Sequence, residues 1–221
     1  MSKIEDLELI GEKIKKCDSC SLSLSRTNVV IGEGNPDSPI MLVGEGPGAN
    51  EDLQGRPFVG RAGNLLDKLL KEVAKVEREK LYITNVVKCR PPKNRVPTSE
   101  EMEKCSHFLM AQISVIKPKI IVALGSTALN YFLKQVVPIT RHRGKFKEWY
   151  GGIYIFPTFH PSYLLRNRSE KEGSPLFYAK LDMQAIGYMY KQLKADPNLD
   201  LKKLVEITEK GIIAAENRIK K

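Results

Sequence analysis

The chain has 221 residues, 42% hydrophobic and 28% charged, which excludes wholesale disorder and supplies enough apolar mass for a full core. Lys and Arg number 36 against 26 Asp and Glu, and the formal net charge of +10 favours polyanionic partners, nucleic acid before an anionic membrane surface. The plainer reading of the same charge is a solvated Lys/Glu-rich surface of the heat-stable kind. The first residues carry acids and no apolar leader core, and no run reaches the roughly 18 apolar residues of a spanning helix, so a cytoplasmic protein without a membrane role is expected.

Residues 3–16 set Ile4, Leu7, Ile10 and Ile14 on one helical face, interrupted by Gly11. The apolar run 39–44 predicts a buried strand, followed by a Gly-rich loop and a helix over 62–76. Residues 81–87 predict a second strand. A proline-rich loop, 90–97, leads into Thr98 and Glu101, spaced as a capping box. Residues 120–125 predict a third strand, with Ser126 capping the next helix, and 153–157 a fourth. Helices are predicted over 176–194 and 199–220. Strands separated by helices predict an α/β fold, a parallel sheet with helices on both faces. We read 1–221 as a single domain whose last part, from about 196, is a helical extension packed on it. In such sheets ligands bind beyond the carboxyl ends of the strands. That rule gathers Glu45 to Phe58, Asn85, Ser126 and His160 at one crevice.

Cys17 and Cys20 are spaced C-x2-C, and Cys89 and Cys105 C-x15-C. The close pair is a chelating half-site that the other two can complete. The irregular second spacing leaves zinc, an iron–sulfur cluster and four buried thiols open. The segment Gly44-Glu45-Gly46-Pro47-Gly48-Ala49 formally fits a dinucleotide fingerprint. Pro47 removes an amide that a phosphate cradle would use, and Asn85 stands where an acid should end the second strand. A tight loop that lets a planar ligand approach the backbone remains.

Four motifs carry a specific resemblance: Gly44-Glu45-Gly46-Pro47-Gly48 with Glu51; Gly55-Arg56-Pro57-Phe58-Val59-Gly60; Thr84-Asn85-Val86-Val87-Lys88-Cys89-Arg90-Pro91-Pro92; and His160-Pro161-Ser162. Together with the four cysteines, from about Cys17 to about Leu193, the chain resembles the family 4 uracil-DNA glycosylases, iron–sulfur enzymes of thermophilic bacteria and archaea. The resemblance implies a three-layer α/β/α sandwich with a central four-stranded parallel sheet. It implies one 4Fe-4S cluster on Cys17, Cys20, Cys89 and Cys105, which decides between zinc and iron. It also implies base excision repair: uracil is flipped out of single- or double-stranded DNA and its N-glycosidic bond hydrolysed, by a monomer.

In that reading Phe58 stacks on the base and the Asn85 amide reads its edge, with Glu45, Gly46 and Gly48 lining the pocket. His160 supplies a donor at uracil O2, and Glu45, with Glu51 as a second candidate, positions the water. The best-known glycosylases carry an Asp where this chain has Gly46. DNA contacts are expected from Lys88, Arg90, Arg143 and Arg166, among further basic residues at Lys93, Arg95, Arg141, Lys145, Lys147 and Arg168. Leu164 or Leu165 is the candidate wedge for the gap left by the base. Two other readings are a non-catalytic iron–sulfur nucleic-acid-binding accessory protein and a dinucleotide-dependent redox enzyme.

Overall fold

The computed structural model describes residues Ser2 to Ile219. Its sheet has six strands: β1 (Glu33–Gly34), β2 (Ile40–Gly44), β3 (Tyr82–Asn85), β4 (Ile120–Leu124), β5 (Lys147–Glu148) and β6 (Tyr154–Thr158). They lie in the order β1-β3-β2-β4-β6-β5. The inner four run parallel, while the two-residue strands β1 and β5 pair antiparallel at the edges. The predicted four parallel strands therefore form the centre of a mixed six-stranded sheet.

Every residue of β2, β3 and β4 is buried, because both faces are covered. The period of two sorts their side chains between two cores. Ile40, Leu42, Leu81, Ile83, Ile120, Val122 and Phe156 face one side, with Leu66, Leu70, Met183, Ile186 and Ile212. Met41, Val43, Tyr82, Ile121, Ala123 and Ile155 face the other, with Ile14, Leu109, Ile113 and Leu129. The result is a three-layer arrangement of helix, sheet and helix.

Helices α1 (Lys3–Lys15), α2 (Ala49–Gln54), α3 (Arg61–Leu69), α4 (Ser99–Ile116) and α5 (Ser126–Leu133) are joined by α6 (Ile139–His142), α7 (Pro161–Arg166), α8 (Pro175–Ala195) and α9 (Leu201–Ile219). Gly11 does not break α1: a Cβ there would press on Ile31 at 3.2 Å, so the glycine lets the helix lie close. The helix predicted over 62–76 is α3 followed by a π-helical turn, Leu70–Ala74. The capping box at α4 is present, Thr98 accepting from the Glu101 amide and Glu101 from the Thr98 amide. Ser126 is not a cap: Gly125 holds that position without a side-chain bond, and Ser126 is the first helical residue. The predicted continuation of the last helix to Lys220 lies outside the described residues.

Candidate active site

The carboxyl ends of β2, β3 and β6 open on one pocket, lined by Glu45, Gly46, Gly48, Glu51, Phe58, Asn85 and His160. Pro91, Asn94, Arg95 and Ser162 complete its wall. A second compartment shares Glu45, His160 and Ser162 and extends to Ser126, Thr127, Thr140 and Arg166. The strand-end rule thus brings together the residues it selected from distant parts of the sequence.

Asn85 ends β3 and is 2% exposed. Its Oδ1 has no hydrogen-bond partner among the described residues, a costly condition for a buried acceptor. Gly44, its register partner on β2, makes this placement possible. A Cβ at Gly44 would meet both Asn85 Oδ1 and the Phe58 ring at 2.5 Å. Phe58 is buried and holds a left-handed backbone, φ 52°. The loop around it is clamped on two sides. Glu51 Oε1 accepts from the amides of Val59 at 2.9 Å and Gly60 at 2.8 Å. Arg78 donates to the carbonyls of Pro57 and Phe58, and is itself ion-paired with Glu33 and Asp67. Arg78 lies outside every motif, and only its tertiary contacts reveal it.

The Phe58 and His160 rings lie 5.8 Å apart, centre to centre. His160 caps α7: the Ser162 amide donates to its Nδ1 at 3.1 Å, and the Ser162 hydroxyl is 2.8 Å from the same atom. An acceptor at Nδ1 places the neutral ring's proton on Nε2. Burial pushes the imidazole pKa down to about 4, against the opposing pull of Glu51. Gly125, at φ 92°, comes so close that a Cβ would stand 2.8 Å from the His160 Cβ. Glu45 accepts from the Thr127 hydroxyl through Oε2. Thr127 was not singled out from the sequence; its one signal was its place just after the third strand.

Several residues expected on the DNA surface are elsewhere. Lys88 is 1% exposed, and its ammonium donates to Thr84 Oγ1, the Asn85 carbonyl and Gln112 Oε1. Arg143 is also buried, between Asp182 and Glu216. Neither side chain is placed on the surface where DNA contacts were expected. Leu164 is 1% exposed in the core and is no wedge. Leu165 is half-buried, in a groove with Leu65 and Leu69. Arg90 bonds Asn94 Oδ1 at 2.8 Å on the pocket's rim, and Arg166 is exposed at the second compartment. Arg95, bidentate to Glu101, holds that carboxyl pKa down to about 2.

Cys17, Cys20, Cys89 and Cys105 line one cavity with Ile14, Leu22, Val87 and Phe108. Arg26 donates to Cys89 Sγ at 3.2 Å and to the Cys17 carbonyl at 2.7 Å. Burial pushes the Cys105 thiol up to about 11. Among the described residues, no group of three or more His, Cys, Asp or Glu side chains is arranged to hold a single metal ion.

Residues 31–181 match the model of the uracil DNA glycosylase superfamily. The chain is 59% identical to a type-4 uracil-DNA glycosylase of Thermotoga maritima over 76% of its own length and 87% of the relative's. It is 46% identical to the type-4 uracil-DNA glycosylase of Saccharolobus solfataricus over 74% of this chain and 79% of that one. A type-5 uracil-DNA glycosylase of Pyrobaculum aerophilum is 35% identical over 58% of this chain and 63% of its own. With its pocket at the parallel strand ends and identity of this extent, the chain belongs to the type-4 uracil-DNA glycosylases.

Proposed function

We propose that the protein removes uracil from DNA by hydrolysing the bond between the base and deoxyribose. The observation that carries this reading is the orphaned Oδ1 of Asn85, buried in a pocket that also holds Phe58 and His160. Uracil N3–H supplies the donor that Oδ1 lacks, and uracil O4 accepts from the amide NH₂. Cytosine presents an acceptor at N3 and a donor at N4, so the same amide rejects it. Phe58 stacks on the extruded ring.

The C1′–N1 bond breaks with its electron pair leaving on uracil N1. His160 donates its Nε2–H toward uracil O2, where the negative charge collects, and stays neutral throughout. Glu45, which faces both compartments, holds the water whose oxygen adds to C1′ and takes the proton that water loses. Glu51 has one oxygen committed to the Val59 and Gly60 amides, so we assign it to the Phe58 loop rather than to the water. Arg90, Lys93 and Arg166 fit the DNA backbone by position and exposure.

The four cysteines fit a 4Fe-4S cluster. The donor set is all thiolate, it surrounds one cavity, and Arg26 offers a hydrogen bond to a ligand sulfur. Bound there, the cluster would serve as a structural tie among the elements that carry the cysteines. A monomer acting on intracellular DNA completes the reading. The test is release of free uracil from a uracil-containing oligonucleotide with a chelator and no added cofactor. Release is expected; its absence, or a requirement for divalent metal, overturns the mechanism.

A further inference from the structure

We propose that Thr127 is a positioning residue for the water-holding Glu45, a proposal that rests on the glycosylase reading above. The two residues meet because β2 and β4 are neighbours in the sheet. Val43 pairs with Ala123 in parallel register, so the chain leaves both strands at the same level. Glu45 is the first residue beyond β2. Beyond β4, Gly125 turns the chain at φ 92° and starts α5 at once, which puts Thr127 in the first turn.

The contact is specific. Thr127 Oγ1 donates to Glu45 Oε2, and among the described residues no other group donates to that carboxylate. The Glu45 backbone is held separately, its carbonyl accepting from the Val87 amide at 3.2 Å. Glu45 is therefore pinned at two points, main chain to the turn after β3 and side chain to α5. One carboxylate oxygen is occupied and Oε1 is left for water.

The chemistry of the partner matters as much as its position. Lys or Arg in this place would orient the carboxylate and also neutralise it, beside a sugar that becomes positive as the bond breaks. A hydroxyl orients the carboxylate and leaves its charge intact. Threonine is also stiff at χ1, so the hydroxyl is presented with little loss of side-chain freedom. Thr127 lines the second compartment and Glu45 lines both, whereas Phe58 and Asn85, which take the base in that reading, line the first and not the second.

The experiment is single-turnover release of uracil from an oligonucleotide at saturating enzyme, with thermal melting and DNA affinity measured on the same samples. The variants are Thr127→Val, Thr127→Ala, Thr127→Ser, Glu45→Gln and the double variant Thr127→Val with Glu45→Gln. Thr127→Val and Thr127→Ala should each slow release about tenfold or more, with melting and DNA affinity unchanged. Thr127→Ser, which restores the hydroxyl, should recover to within about threefold of wild type. The double variant should be no slower than Glu45→Gln alone, because residues that act through one another are not additive. A wild-type rate in Thr127→Val beside a slow Glu45→Gln overturns the role of Thr127 and leaves the glycosylase reading standing. Additive losses in the double variant overturn it as well. A wild-type rate in Glu45→Gln removes the water-holding role of Glu45, and that of Thr127 with it. Failure of the wild-type protein to release uracil removes the glycosylase reading itself.

Discussion

In the proposed mechanism Asn85 serves recognition and His160 bond breaking, and a glycine lies close against each, Gly44 and Gly125. Asn85→Asp preserves size but replaces the NH₂ donor with an acceptor that faces uracil O4. A mispaired buried group costs about 1–3 kcal/mol, so uracil excision should fall roughly tenfold to a hundredfold. Cytosine excision should gain a weak signal, and Asn85→Ala should lose uracil activity without that gain. Excision from paired oligonucleotides differing in one base, with circular dichroism to confirm folding, measures both. His160→Ala should slow the chemical step on the order of a hundredfold and spare DNA binding, as loss of one oxyanion donor does. His160 also carries a pH signature. Its folded pKa lies below its ordinary value of 6.5, at about 4, so the unfolded chain takes up a proton that the native site refuses. Stability from this group is complete above 6.5 and is lost as pH falls toward about 4. Denaturant midpoints between those limits should fall more steeply for the wild type than for His160→Gln. The sequence revealed these two residues because Asn85 lies near the end of the second predicted strand and His160 follows the fourth, each within a motif that carries the family resemblance. Lys88 and Arg143 misled for a physical reason: a charge reads as surface, and here the burying partners are Gln112 on α4 and Asp182 on α8.

The elements carry the pocket's rigidity. Phe58 sits between the Glu51 clamp on α2 and the Arg78 clamp before β3, and its left-handed φ is held from both sides. Glu51→Ala should loosen the loop, raising KM for uracil DNA more than it lowers kcat and lowering the melting temperature modestly; steady-state kinetics and melting curves decide. The cysteines join α1's exit, β3's exit and α4. The purified protein should be brown, with about four irons per chain, and Cys89→Ala should lose the visible absorption and cost more stability than chemistry. Colour, iron content and melting report this directly. The longer helices, the inner strands and the Thr98 capping box were legible because each follows a local rule of period or cap; the short helices α2, α6 and α7 are too brief to show one. The π turn at Leu70–Ala74 and the edge strands were not: two residues carry no period, and the turn's wider winding leaves no composition mark.

At the scale of the whole molecule, one buried cation joins the layers. Arg143 Nε bonds Asp182 Oδ2 at 3.0 Å, its other nitrogens reach Asp182 and Glu216, and its guanidinium lies 4.9 Å from the Tyr178 ring centre. Thr158, at the end of β6, donates to the same Asp182 at 2.7 Å. The sheet, α8 and α9 thus share one ion network. Asp182→Ala leaves the buried guanidinium with Glu216 as its one carboxylate partner and should destabilise the fold by up to about 3–5 kcal/mol, while leaving the pocket chemistry intact at low temperature. Urea denaturation and uracil release at a temperature well below the melting point separate the two effects. The sheet's short margins have a different consequence. A parallel sheet with long bare edges invites other chains to continue it, and partly opened molecules then seed fibres. Here both edges end in antiparallel stubs of two residues, Glu33–Gly34 and Lys147–Glu148, each carrying a charge. Too few unpaired amides remain in line at either margin to template a neighbouring strand, so heated samples are expected to stay free of fibre-specific dye signal.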